Sequence, residues 1–80
     1  MPLYFIDTSD QDVFCRDEDG SEYKNLDTAK ASAISALPDM ARDQLPDGDA
    51  RTFTAIVRDQ HDTPILQASL TLFVSSLSQA

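Results

Sequence analysis

No tryptophan occurs in the 80-residue chain, and cysteine, histidine, glycine and basic residues are all scarce. The single cysteine, Cys15, excludes an intramolecular disulfide framework and any multi-cysteine zinc site. With only Gly20 and Gly48, the chain has no glycine-rich loop to cradle a phosphate. The basic residues Arg16, Lys24, Lys30, Arg42, Arg51 and Arg58 are scattered singly. Phosphate backbones are bound by clustered Lys and Arg, so direct contact with nucleic acid is not expected, and anionic membrane binding is disfavoured for the same reason. No apolar stretch approaches the roughly 18 residues of a membrane span. The opening Met-Pro-Leu-Tyr-Phe-Ile-Asp carries neither the basic region nor the apolar run of a signal peptide. A reducing cytoplasm is the compartment these features point to.

What the chain has in excess is acid. Fourteen Asp and Glu against six Lys and Arg leave a net charge of -8. The excess is greatest before Leu26, where Asp7, Asp10, Asp12, Asp17, Glu18, Asp19 and Glu22 face only Arg16 and Lys24. This sign suits solubility or a basic partner protein. Hydrophobic residues make up 41% of the chain, enough for one thin core. Such a core leaves about 3–5 kcal/mol of net stability, and dimerisation is an expected source of help.

The spacing of apolar residues gives the element order. Residues 2–8, PLYFIDT, are aromatic and branched and read as a strand, with Leu3 and Phe5 on one face and Tyr4 and Ile6 on the other. SDQD is a turn, VFCR (13–16) a short returning strand, and DEDG (17–20) a second turn in which Gly20 is free to take positive φ. Ser21 to Tyr23 add a brief extended piece. From Leu26 the period becomes helical: Leu26, Ala29, Ala33, Leu37, Met40 and Ala41 share one stripe, with Thr28, Ser35, Asp39 and Arg42 opposite. Asp27 is the expected N-cap, and Lys30 falls awkwardly within the stripe, so that its stem would have to run along the rim. Pro46 and Gly48 are expected to end the helix. Residues 51–59 alternate Phe53, Ala55 and Val57 against Thr52, Thr54, Ile56 and Arg58. After the polar turn DQHDTP, residues 65–74 alternate Leu66, Ala68, Leu70, Leu72 and Val74 against Gln67, Ser69 and Thr71.

The fold this predicts is a two-layer α+β domain of order β-β-α-β-β. An antiparallel four-stranded sheet is covered on one face by a long helix kinked at Pro38. The domain spans 1–75, with 76–80 a disordered tail. The uncovered face carries Thr, Gln and Ser, but also Ile56, Ile65 and Phe73. That face and the open strand edges are association surfaces, admitting a homodimer.

Three groups of residues invite a chemical reading. The triplet Leu-Pro-Asp occurs at 37–39 and again at 45–47. Asp39 and Asp47 are eight positions apart, roughly 12 Å of helical rise, too far to share a proton or an ion. Helix punctuation is the better account, with Pro38 bending the helix or dividing it in two. The loop DEDGSE (17–22) matches part of an EF-hand calcium loop, but Cys15 and Leu26 stand where the leading Asp and the closing Glu belong. A solvated turn is favoured over a weak divalent site. Cys15 and His61 are the one thiol–imidazole combination available, yet they fall in a strand and a turn with no oxyanion elbow. A buried structural cysteine and an exposed turn histidine are expected. Catalytic, metal and cofactor residues are therefore all assigned as none.

Tyr4-Phe5-x-Asp7, Asp17-x-x-Gly20-x-Glu22, Leu26-x-x-Ala29-x-x-x-Ala33, and Val57-Arg58-Asp59 leading into Pro64-Ile65-Leu66 form an ordered set. It resembles a group of short proteins of rhizobia and related alphaproteobacteria, classed as a domain of unknown function. The resemblance covers all but the serine-rich tail. Departures fall at Asp10-Gln11-Asp12 and Gln60-His61-Asp62, where the group has glycine-containing turns. It implies a bacterial origin and a compact single domain, with no activity to carry over. The functional expectation is a non-enzymatic protein-interaction or regulatory module, homodimeric through a sheet edge or the open face. One alternative is an antitoxin-like or accessory partner of a basic, nucleic-acid-associated protein. The least favoured is a small enzyme using Cys15 or the acidic loop.

Overall fold

The computed structural model describes residues 2–11, 13–44 and 49–78. They form strands β1 (Leu3–Ser9), β2 (Phe14–Cys15) and β3 (Ser21–Glu22), helix α1 (Leu26–Gln44), and strands β4 (Ala50–Arg58) and β5 (Pro64–Phe73). The sheet is antiparallel and open, in the order β2-β1-β4-β5, with β3 also paired to β1. The α+β architecture is the one predicted. The extended piece after Gly20 is a fifth strand, a two-residue one, beyond the four expected.

Register assigns the faces, because residues directly opposite in antiparallel strands share a side. Ile6 stands opposite Val57, Thr8 opposite Ala55, and Leu66, Ala68 and Leu70 opposite Val57, Ala55 and Phe53. This side meets α1. Ala29, Ala33, Leu37 and Ala41 of the helix stripe bury against Phe53, Ala55 and Val57, flanked by Tyr4, Ile6, Tyr23, Leu26, Met40, Leu66 and Ala68. Alanine on both layers lets helix and sheet approach closely, so Phe53 and Val57 are the only large side chains fully buried among the described residues. Lys30 falls within the stripe on the wheel, yet it is exposed.

Two local expectations are corrected at the helix start and in β2. Asn25, not Asp27, caps α1: its Oδ1 accepts from Thr28 N at 2.9 Å and from the Thr28 hydroxyl at 2.9 Å. Leu26 belongs to the half-buried stripe, so the helix has to begin before it, which leaves Asp27 inside the first turn where its charge favours the helix dipole. Cys15 is exposed rather than buried, since β2 is a two-residue outer strand with both residues facing solvent. At Pro38 the helix continues unbroken. Pro38 lies on an exposed side beside half-exposed Ile34, so the Ile34 carbonyl it deprives of a partner can turn to water. The second Leu-Pro-Asp and the expected stop at Pro46 and Gly48 lie outside the described residues.

Candidate functional site

The side of the sheet away from α1 holds the densest polar cluster. Its origin is a gap in the strand ladder. Strands β2 and β3 both pair the outer edge of β1, β2 at Thr8 and Ser9, β3 at Leu3 and Tyr4. Between them that edge has no strand. The loop 16–20 fills the place: Asp17 Oδ2 accepts the Ile6 N–H at 3.1 Å, and Asp17 N donates to Asp7 Oδ1 at 2.9 Å. The other oxygen of Asp17 accepts from Asp19 N at 3.2 Å and Gly20 N at 3.0 Å, which closes the turn. Gly20 has φ +70°, and a Cβ there would lie 2.8 Å from Cε2 of Phe5. Both facts require glycine.

Arg58 anchors the loop from below. Its Nε donates to Asp7 Oδ2 at 2.7 Å and its Nη2 to Asp7 Oδ1 at 3.0 Å, while Nη2 also reaches the Asp17 carbonyl at 2.8 Å. Nη1 donates to Asp62, which also receives Arg16 at 2.9 Å. The guanidinium stands 4.8 Å from the centre of the Phe5 ring. Asp7 and Arg58 are 4% and 6% exposed, although both fall on strand positions that face away from the helix. The loop itself buries them.

The electrostatics follow from these contacts. Arg58 holds the Asp7 carboxyl below the usual range, with burial opposing and the Asp17 N–H assisting. Burial pushes Asp17 upward, but the N–H groups of Gly20, Ile6 and Asp19 together outweigh it and the net direction is down. Asp62 is lowered by its bonds to Arg58 and Arg16, and Arg58 is raised chiefly by Asp7. Every shift favours the charged form. The cluster is a clasp that holds loop 16–20 on the sheet. A guanidinium with this many committed donors offers little to an incoming phosphate.

The turn between β4 and β5 is built to present Asp62. Asp59 Oδ1 accepts from His61 N at 2.8 Å and Thr63 N at 3.0 Å. Asp62 then takes φ +66°, a left-handed conformation usually given to glycine and tolerated by Asp. This accounts for the departure at Gln60-His61-Asp62: a glycine would meet the backbone demand but supply no carboxylate to Arg58.

A second feature lies along β5. It is the last strand of the sheet, ten residues long, and among the described residues one of its edges is unpaired. Because α1 sits mainly over β4, the helix side of β5 is only partly covered. Leu66, Ala68 and Leu72 are half-buried, and Leu70 is 40% exposed. Between helix and edge lies an apolar groove of about 370 Å³ lined by Ile34, Leu37, Pro38, Ala68, Ser69 and Leu70. Ile65 and Phe73 are also exposed, Phe73 at 73%. On the opposite side, hydroxyls pair across β4 and β5, Thr52 with Thr71 at 3.1 Å and Thr54 with Ser69 at 3.4 Å.

The residues singled out for chemistry are placed apart or already engaged. Asp39 pairs with Arg42 in solvent at 2.9 Å, and Asp47 lies outside the described residues. The carboxylate of Asp17, the best-placed member of the acidic loop, is spent on three backbone N–H groups, while Glu18 and Asp19 face water. His61 is exposed in its turn and Cys15 exposed in β2; the Arg16–Asp62 pair joins the segments that carry them, but no hydrogen bond joins the two side chains. Among the described residues no cluster of His, Cys, Asp and Glu could hold a metal ion, and no helix is long and apolar enough to cross a membrane.

A family model described as a domain of unknown function, DUF6894, matches residues 3–71, from the first residue of β1 almost to the end of β5. The chain belongs to this family. No curated protein and no solved structure matches it. The matched span contains the whole clasp. Phe5, Asp7, Asp17, Gly20 and Arg58 also belong to the motifs that carry the family resemblance, and in this chain they close the loop onto the sheet. Sequence reasoning missed the clasp because alternation put Arg58 on a face that looked solvated. The signal was the Asp17-x-x-Gly20 turn, whose aspartate needed donors and whose glycine needed a ring to avoid.

Proposed function

We propose that this DUF6894 domain is a non-enzymatic protein-interaction module that docks its partner along the free edge of β5. The observation that carries the reading is the ten-residue outer strand whose apolar side chains Leu70, Ile65 and Phe73 stay in water beside an apolar groove. An exposed edge of this length presents unspent backbone N–H and C=O groups, a template for pairing with another strand. Against catalysis stands the direction of the shifted carboxyls. Asp7, Asp17 and Asp62 are all held more acidic, away from the neutral range in which a general acid or base works.

The reading places the module in the cytoplasm of an alphaproteobacterium. A second reading, an accessory partner of a basic protein, draws on the exposed Glu18, Asp19 and Glu22 of the N-terminal acidic region. Affinity capture from the native host with the wild-type chain and with Leu70→Lys tests the first. Loss of the captured protein, self included, from the edge variant is expected. Equal capture by both chains overturns edge docking, and release of that protein by moderate salt would favour the acidic surface.

A further inference from the structure

We propose that the occupant of the β5 edge is a second copy of this chain, paired antiparallel about a two-fold axis at Ser69. The proposal rests on the edge-docking reading above and names its partner. Two observations carry it, and the first is charge. A protein with net charge -8 repels its own copies, yet residues 63–80 contain no Asp, Glu, Lys or Arg. The groove beside β5 is likewise lined only by uncharged residues. The long free edge is therefore a surface on which two such chains can meet without opposing charges. A basic partner would gain nothing there.

The second is the pattern of the strand. In an antiparallel pair centred on Ser69, residue numbers facing each other sum to a constant. Leu70 then faces Ala68 of the other copy, Thr71 faces Gln67, Leu72 faces Leu66, Phe73 faces Ile65, and Val74 faces Pro64. Every apolar residue meets an apolar one and every polar residue a polar one. Phe73 and Ile65, exposed at opposite ends of the strand, cover each other. On the helix side Leu70 of each copy closes over the other's groove wall at Ala68. On the hydroxyl side the pairs Thr54–Ser69 of the two copies join into one row.

The area suffices for a reversible dimer. Ten residues of strand extend about 34 Å, and a sheet-plus-helix edge is about 15–20 Å deep. Covering it removes on the order of 500–700 Å² per copy, the lower end of the range for specific interfaces. Association in the micromolar range is expected, and it tightens with salt because the two acidic bodies are screened from each other.

The experiment combines mass and register. Sedimentation equilibrium of the full chain from low micromolar to sub-millimolar concentration should give a shift from one to two chains, abolished by Leu70→Lys. In a Cys15→Ser background, Ser69→Cys should cross-link to itself under mild oxidation, because the axis brings the two positions together. Gln67→Cys should not cross-link alone, but should do so when mixed with Thr71→Cys. All these positions are exposed, and far-UV circular dichroism confirms that each variant folds. A chain that stays monomeric throughout overturns the dimer, while edge docking survives if Leu70→Lys still loses a different partner. A dimer that ignores Leu70→Lys, or one whose Ser69→Cys chains do not cross-link, also overturns this arrangement.

Discussion

Replacing Asp7 by Asn tests the clasp most directly, because it keeps the shape of the side chain and removes its charge. The Asp7 carboxylate accepts Arg58 Nε at 2.7 Å, Arg58 Nη2 at 3.0 Å and Asp17 N at 2.9 Å. Asparagine offers one carbonyl oxygen for these three donors and turns an NH₂ group toward the others. Breaking one side of a buried ion pair costs about 3–5 kcal/mol. Arg58 keeps Asp62 and the Asp17 carbonyl, so the lower end, about 3 kcal/mol, is expected. A core whose only large fully buried side chains among the described residues are Phe53 and Val57 has about 3–5 kcal/mol to lose. Asp7→Asn should therefore sit close to its unfolding midpoint in buffer. Urea titrations followed by far-UV circular dichroism, with an osmolyte present to restore the folded baseline, measure the difference at fixed protein concentration. The companion Asp7→Leu/Arg58→Met should lose less than Asp7→Asn alone, since it leaves no buried charge without its partner. A loss below about 1 kcal/mol for Asp7→Asn would refute the buried-pair reasoning.

The pH dependence has a fixed sign. Asp7, Asp17 and Asp62 all titrate below the ordinary 3.8 in the folded state, so the unfolded chain takes up protons first. Their contribution is complete above about pH 5 and is lost as the pH falls through 4 and below; thermal melts from pH 7 to 3 should show a flat region and then a fall, and the fall should shrink in Asp7→Asn. Gly20→Ala puts a Cβ 2.8 Å from Phe5 in a left-handed backbone. It should cost about 2 kcal/mol and lower Tm by roughly 8–16 °C, whereas an unchanged Tm would contradict the required glycine. Asn25→Ala should cost about 1 kcal/mol and Asp27→Ala only a few tenths in the same assay, the reverse order returning the cap to Asp27.

What could be read from the sequence was whatever periodicity controls. The stripe Ala29, Ala33, Leu37 and Ala41, and the alternation Phe53, Ala55 and Val57, both bury as their spacing requires. Choices between chemically equivalent neighbours were less legible. Asn25 and Asp27 are both good caps, and only the burial of Leu26 between them decides. The clasp was illegible for a different reason. It joins Asp7, Asp17, Arg58 and Asp62 from four separate segments, and a pattern confined to one strand cannot show that a loop will fold over Arg58. The free edge depends on strand order, since among the described residues β5 pairs with β4 alone and stands last in the sheet.

The two edges of the sheet are managed in opposite ways. At the β1 edge the unpaired stretch around Ile6 is sealed by Asp17, and the flanking strands are only two residues long. Short outer strands and charge are devices that keep an edge from pairing with another chain. The β5 edge has neither: ten residues, no charge, and no proline after Pro64. Its one irregularity, a register shift between Val57 and Arg58, lies at the strand's beginning, leaving Leu66 to Phe73 in regular register with β4. The chain spends four ionic side chains on closing one edge and leaves the longer edge apolar and regular, and this contrast supports the docking proposed along β5. An unmanaged edge of this kind is a template for pairing with another strand, so the proposed association along β5 and the sealing of β1 answer the same physical demand.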